Sequence, residues 1–190
     1  VGEHQRMRLP AGAVNVAVPA PRDDRHRVHL LGSLIRTHTQ DSRCLVFTRT
    51  KRDAAALAEM EGLADISMAL HGDMSQALRE RALDAFRQGT VRCLVATDVA
   101  ARGLDIPAVE AVIHYSLPSN TESFVHRSGR TARAGRSGHN IVLFTPSEHV
   151  MLAQLEREVG FQFQIRAAPK LQEVLQRSML TAVENAAGVS

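Results

Sequence analysis

The stretch VHRSGRTARAGRSG, residues 125–138, sets Arg127, Arg130, Arg133 and Arg136 at every third position among Ser, Gly, Thr and Ala. A guanidinium is a permanently charged, planar fork of donors with no acceptor, and its geometry matches the oxygens of phosphate. Three residues advance a helix by about 300°, so neighbouring arginines share a face while Arg127 and Arg136 point nearly opposite ways. A uniformly basic stripe favours mixed spacings of three and four, and small residues between arginines let another surface or a ligand come close. Polyphosphate binding is the chemistry these residues suit, with a solvated basic face as the plain alternative.

Any scaffold that holds such a group must be built from the rest of the chain. Its 190 residues are 44% hydrophobic, enough for one domain with a sizeable core. Trp is absent and aromatics make up 4%, which argues against a binding surface made of stacked rings. Lys and Arg exceed Asp and Glu by 23 to 20, and the only lysines are Lys51 and Lys170. Cys44 and Cys93 lie inside the apolar runs RCLVF and RCLVA and read as core thiols, not as ligands or a disulfide. No eighteen-residue apolar segment and no signal-peptide pattern is present, so an intracellular protein without a membrane span is expected, its compartment open. The chain begins with Val, not Met, which suggests a piece of something longer.

Short apolar runs at 14–18, 43–48, 66–70, 91–98, 109–115 and 139–145 predict strands, and amphipathic spacing predicts helices at 23–38, through Ala54, Leu57, Ala58 and Met60, at 76–88 and from Met151. Strands alternating with helices predict an α/β domain with a mostly parallel sheet and helices on both faces. Ligands of such sheets sit beyond the carboxyl ends of the strands, where TRTK, HGD and TD would gather. Residues 160–166 predict one more strand. Residues 169–187 predict an amphipathic helix that either folds back on the domain or serves a partner or a dimer. The expected division is therefore 1–166 and 167–190.

Four segments taken in order resemble the second half of a DEAD-box RNA helicase core. They are LVFTRTK (45–51), HGDMSQALRERAL (71–83), VATDVAARGLDIP (95–107) and HRSGRTARAG (126–135). The resemblance spans roughly residues 10 to 165 and implies a RecA-like C-terminal lobe. It implies that Arg130 and Arg133, one turn apart on a helix, are arginine fingers on the terminal phosphate of ATP. Asp105 would hydrogen-bond the nucleotide ribose after a turn allowed by Gly103, and His126 and Arg127 would join the network between lobes. RNA backbone would meet Thr48, Arg49, Gly72, Gln76, Arg79 and Thr97, with Asp98 and Arg102 holding the RNA-facing loop; for Asp98 a helix cap is the equal alternative. Two departures stand out, Ser128 where an aliphatic residue is common and Ala132 where Gly is usual. The tail resembles the segment that follows the core in nucleolar Gu-type RNA helicases.

The chain has neither a G-x-x-x-x-G-K-[ST] loop nor a D-E-A-D run, and no metal site is expected within it. The resemblance implies that Mg2+ and ATP are held mainly by an N-terminal lobe, and that this chain alone is inactive. The implied function is ATP-driven, sequence-independent local unwinding of RNA. A non-catalytic RNA-binding module and a DNA-directed lobe of another superfamily-2 branch remain as alternatives.

Overall fold

The computed structural model describes residues 8–39 and 42–169. The helix expected at 169–187 therefore lies outside the described residues, apart from its first position. Seven parallel strands form one sheet in the order β3-β4-β2-β5-β6-β1-β7: β1 Ala13–Pro19, β2 Cys44–Phe47, β3 Ser67–Leu70, β4 Cys93–Ala96, β5 Ala111–His114, β6 Gly138–Phe144 and β7 Gln164–Ile165. The helices are α1 Asp24–Thr39, α2 Lys51–Ala58, α3 Gln76–Gln88, α4 Asp98–Ala101, α5 Thr121–Ser128 and α6 His149–Val159. A doubly covered parallel α/β sheet of the RecA-like kind, as the sequence predicts, is what results.

Alternation along each strand decides which helices cover which face. Val16, Val46, Ile113 and Ile141 point to one side, where they meet Leu31, Leu34 and Ile35 of α1 and Leu57 of α2. Leu45, Phe47, Leu94 and Val112 point to the other, against Phe86 of α3 and Ala100 of α4. Beside them on that second face, Ala17, Val142 and Phe144 pack on Phe124 of α5 and Leu152 and Leu155 of α6. Cys44 and Cys93 are in register on β2 and β4 and fully buried, and a hydrogen bond with Cys44, then burial, pushes the Cys93 thiol up.

Local signals start and stop the helices. The Ser75 hydroxyl accepts from Leu78 N, and Gly89 ends α3 in the left-handed region, φ 78°. Asn120 caps α5 in the same way, its side chain accepting from Ser123 N. The strand expected at 160–166 shrinks to Gln164–Ile165. Gly160 is left-handed at the end of α6, Phe163 is buried against Phe124, and its N–H donates to Glu156 at 2.8 Å. Among the described residues no helix is long and apolar enough to cross a membrane.

The arginine run is not the continuous helix its spacing suggests. Helix α5 ends at Ser128, and the chain then turns through Thr131, whose hydroxyl donates to the carbonyl of Val109 at 2.6 Å. Ala132 and Ala134 both take positive φ, 53° and 55°. A side chain in the left-handed region clashes with its own backbone, and glycine avoids this. The sequence departure at Ala132 is thus a matter of backbone handedness. Ala132→Gly is expected to stabilise the fold by about 0.5–1 kcal/mol, seen as a higher urea midpoint with an unchanged slope. A lower midpoint would show that the buried methyl of Ala132 outweighs the strain it carries.

Candidate functional site

Because all strands are parallel and in register, Thr48, Tyr115, Thr97 and His71 leave the sheet along one edge. At that rim Lys51 and Asp73 join the TRTK and HGD loops through a 2.7 Å ion pair. Gly72 and Gln76 are exposed, and Gln76 donates its amide to Glu80 at 3.1 Å. Arg79 reaches back to the carbonyl of Gly72 at 3.0 Å. Its Nε, and Nδ1 of His71, are buried without a hydrogen-bond partner. Unsatisfied buried polar atoms are costly; these two belong to the loop after β3 and to α3, and Nδ1 of His114 is a third among the described residues. Thr48 is fully buried and gives its hydroxyl to Thr50 O at 3.1 Å; Thr97 is buried at the start of α4 without a side-chain cap bond; Arg49 is exposed.

A second feature runs along the groove between α4 and α5. It is a cleft of about 340 Å³ lined by Arg8, Arg102, Arg127, Arg130 and Arg133, with His126, Ser123, Phe47 and Asp98. Arg127 forms its floor. It is 3% exposed, donates from Nε and Nη2 to the two carboxylate oxygens of Asp98 at 2.6 and 2.7 Å, and from Nη1 to Ser116 O at 2.9 Å. Its guanidinium also lies 5.1 Å from the Phe47 ring centre. So the carboxylate of Asp98 holds Arg127, and both are committed to the protein itself. Ser128 is likewise accounted for, its buried hydroxyl donating to Phe124 O at 2.7 Å.

The backbone of Arg130 lies near the amino end of β5, since Val109 N donates to Arg130 O at 3.1 Å. Arg130 is aimed by the carbonyls of Ala101 and Leu104, at 3.1 and 3.3 Å, and Arg133 donates from Nε to Gly129 O at 2.6 Å. Burial, and then the charge of Arg133, lowers the affinity of Arg130 for its proton. Both arginines keep further N–H groups for a ligand. Gly103 is left-handed, φ 70°, and turns the chain after exposed Arg102. Asp105 is exposed on the following loop, outside the cleft lining, and its backbone carbonyl accepts from Arg87 at 3.1 Å.

Beneath the arginines lies a polar chain that the apolar look of VEAVIHY conceals. His114 Nε2 is 2.7 Å from Asn140 Oδ1, and Asn140 donates to Asn15 at 2.9 Å, so three adjacent strands are bridged. Desolvation, then the charge of Arg127, drives the His114 pKa from 6.5 down to about 3, the Asn140 bond opposing them. A base whose folded pKa is depressed makes the unfolded chain bind more protons between those two values. Its contribution to stability is complete above about pH 6.5 and is lost as pH falls toward 3. His114→Gln is expected to flatten the rise of unfolding free energy with pH across that window, measured by urea unfolding at several pH values. An unchanged slope would mean that other groups carry it.

Residues 26–135 match the family model of the helicase conserved C-terminal domain. The chain is 52% identical over 134 residues to DEAD-box ATP-dependent RNA helicase 53 of Oryza sativa subsp. japonica, covering 70% of this chain and 22% of that protein. It superimposes on the E. coli DEAD-box protein SrmB, solved bound to regulator of ribonuclease activity A, with a TM-score of 0.75 and 34% identity, covering 85% of this chain and 93% of that one. S. cerevisiae Dbp5 bound to RNA and ADP BeF3 gives a TM-score of 0.75 at 25% identity, covering 95% of this chain and 48% of that one. The chain spans about a fifth to a quarter of the length of the curated relatives it matches.

Proposed function

Since the chain belongs to the DEAD-box RNA helicase family as a helicase C-terminal domain, we propose that it acts as the second lobe of an ATP-dependent RNA helicase. The observation that carries this reading is the cleft, where five arginines face one carboxylate and that carboxylate is already engaged by Arg127. Such an excess of cation in a partly desolvated groove favours a polyanion. Arg130 and Arg133 act on the terminal phosphate of ATP, stabilising charge as it shifts toward the leaving group, while Arg127 and Asp98 hold α4 and α5 at the right separation. Mg2+ and most of the nucleotide are held by an N-terminal lobe of the same protein. His126 borders the nucleotide side, Arg102, expected on the RNA-facing loop, lines the same cleft, and Asp105, beyond Gly103, meets the ribose.

RNA lies along the rim of Thr48, Arg49, Gly72, Gln76, Arg79 and Thr97. The orphaned atoms of Arg79 and His71 support this placement, and that RNA is the ligand is supported by the Dbp5 relative, which was solved bound to RNA. Contacts of this type reach phosphate and sugar, so binding is independent of sequence and weakens with salt. When the two lobes close on ATP, the bound strand bends and a short duplex opens.

The test is steady-state ATP hydrolysis and displacement of a short duplex by the full-length protein. Hydrolysis stimulated by single-stranded RNA and not by DNA is the expected result. Equal stimulation by DNA would favour a DNA-directed lobe, and RNA binding without any hydrolysis would favour a non-catalytic module.

A further inference from the structure

Arg8 belongs to none of the motif runs and lies outside residues 26–135 that match the family model, yet it lines the same cleft as Arg102, Arg130 and Arg133. Its position is built in. The segment before β1 turns at Pro10, whose carbonyl accepts from Ala13 N at 3.0 Å, and Gly12 O then accepts from Gly138 N at 3.1 Å. Gly12 sits so close to the loop leaving the arginine run that a Cβ there would fall 2.4 Å from the carbonyl oxygen of Arg136. Leu9 meanwhile packs against the α5–α6 cluster. Residues 9–12 are thus fastened to both ends of the segment that carries Arg130 and Arg133, and Arg8 adjoins that fastening.

Charge supplies the second argument. Among the described residues Arg8 has no ion pair and no hydrogen bond, and no carboxylate of the cleft is left for it, because Asp98 is held by Arg127. Like charges gathered without a counter-charge repel one another, and the arrangement becomes favourable only when a multiply charged anion enters. We propose that Arg8 is a further phosphate-binding residue of this cleft, directed with Arg130 and Arg133 at the polyphosphate of the nucleotide. This rests on the reading of the cleft given above. It also gives the segment before β1 a direct dependence on nucleotide, since Arg8 gains its partner only when phosphate is present.

The test uses the 190-residue chain and inorganic tripolyphosphate, titrated while the arginine Nε–H resonances are followed by NMR. Arg8, Arg130 and Arg133 are expected to shift together. Arg8→Ala is expected to weaken binding about five- to tenfold, the loss of one charge-assisted contact, whereas Arg25→Ala on the exposed start of α1 leaves it unchanged. Equal affinity of Arg8→Ala and wild type, with a motionless Arg8 resonance, overturns the proposal and leaves the cleft reading standing. If Arg133→Ala also binds as well as wild type, the cleft reading itself fails and takes the proposal with it. A single-stranded RNA oligonucleotide that shifts Arg8 when tripolyphosphate does not overturns the assignment to the nucleotide side.

Discussion

Asp98→Ala is expected to lower the stability of the chain by up to about 3 kcal/mol, because it leaves buried Arg127 without its carboxylate, while Asp98 itself is 27% exposed and already partly hydrated. Arg127 is 3% exposed, and its two shortest bonds, at 2.6 and 2.7 Å, both go to Asp98. The carbonyl of Ser116 and the face of Phe47 remain but cannot offset a full charge out of water. Removing both charges is a milder change than removing one, because the desolvation cost disappears with them. Asp98→Ala combined with Arg127→Met is therefore expected to be more stable than Asp98→Ala alone, a coupling that urea unfolding of the single and double variants reads out. A single-variant loss below about 1 kcal/mol would put the pair in the class of solvated surface bridges and remove it as the floor of the cleft.

The difference between Arg127 and its neighbours was only half legible in the sequence. Periodicity locates β1 to β6 within a residue or two, because a buried parallel strand is a short, mostly apolar run. The expectation that Arg130 and Arg133 stand one turn apart on a helix carries α5 too far. Spacing by threes is compatible with a helix, but it carries no sign of Gly129 ending it or of Ala132 and Ala134 going left-handed. The equal choice for Asp98 between cap and loop-holder resolves into a third role, a bidentate partner 29 residues away in the chain. Pairings of that kind depend on which strands end side by side, and local pattern does not record it. His114 and Asn140 hide for a related reason, as polar residues inside runs read as apolar strands, whose pairing shows only when the two strands are laid together. Arg8 had no signal beyond its charge. The motif residues Thr48, Gly72, Arg79 and Thr97 fall on one rim as the alternation of strands and helices predicts.

The largest effect on activity is expected from Arg133. Its guanidinium is exposed at the cleft, fixed through Nε to Gly129 O and left with free Nη groups, so its loss disturbs no packing. Removing a cation aimed at a transferring phosphoryl group costs about 10³–10⁵ in rate, provided that the contact is stronger in the transition state than with bound ATP. Arg130 is held by two backbone carbonyls at the other side of the cleft, and Arg130→Ala shares the loss of rate while also freeing the loop after α4. Arg133 is thus the cleaner probe of chemistry. The decisive measurement is the single-turnover rate of ATP hydrolysis by the full-length protein with saturating RNA, wild type against Arg133→Ala, with ATP affinity determined separately. The rate falls by about 10³ or more while affinity changes by no more than about threefold, if the arginine acts on the transition state. A rate within about tenfold of wild type, or a defect carried wholly by ATP affinity, would contradict that role and return the arginine run to simple phosphate binding.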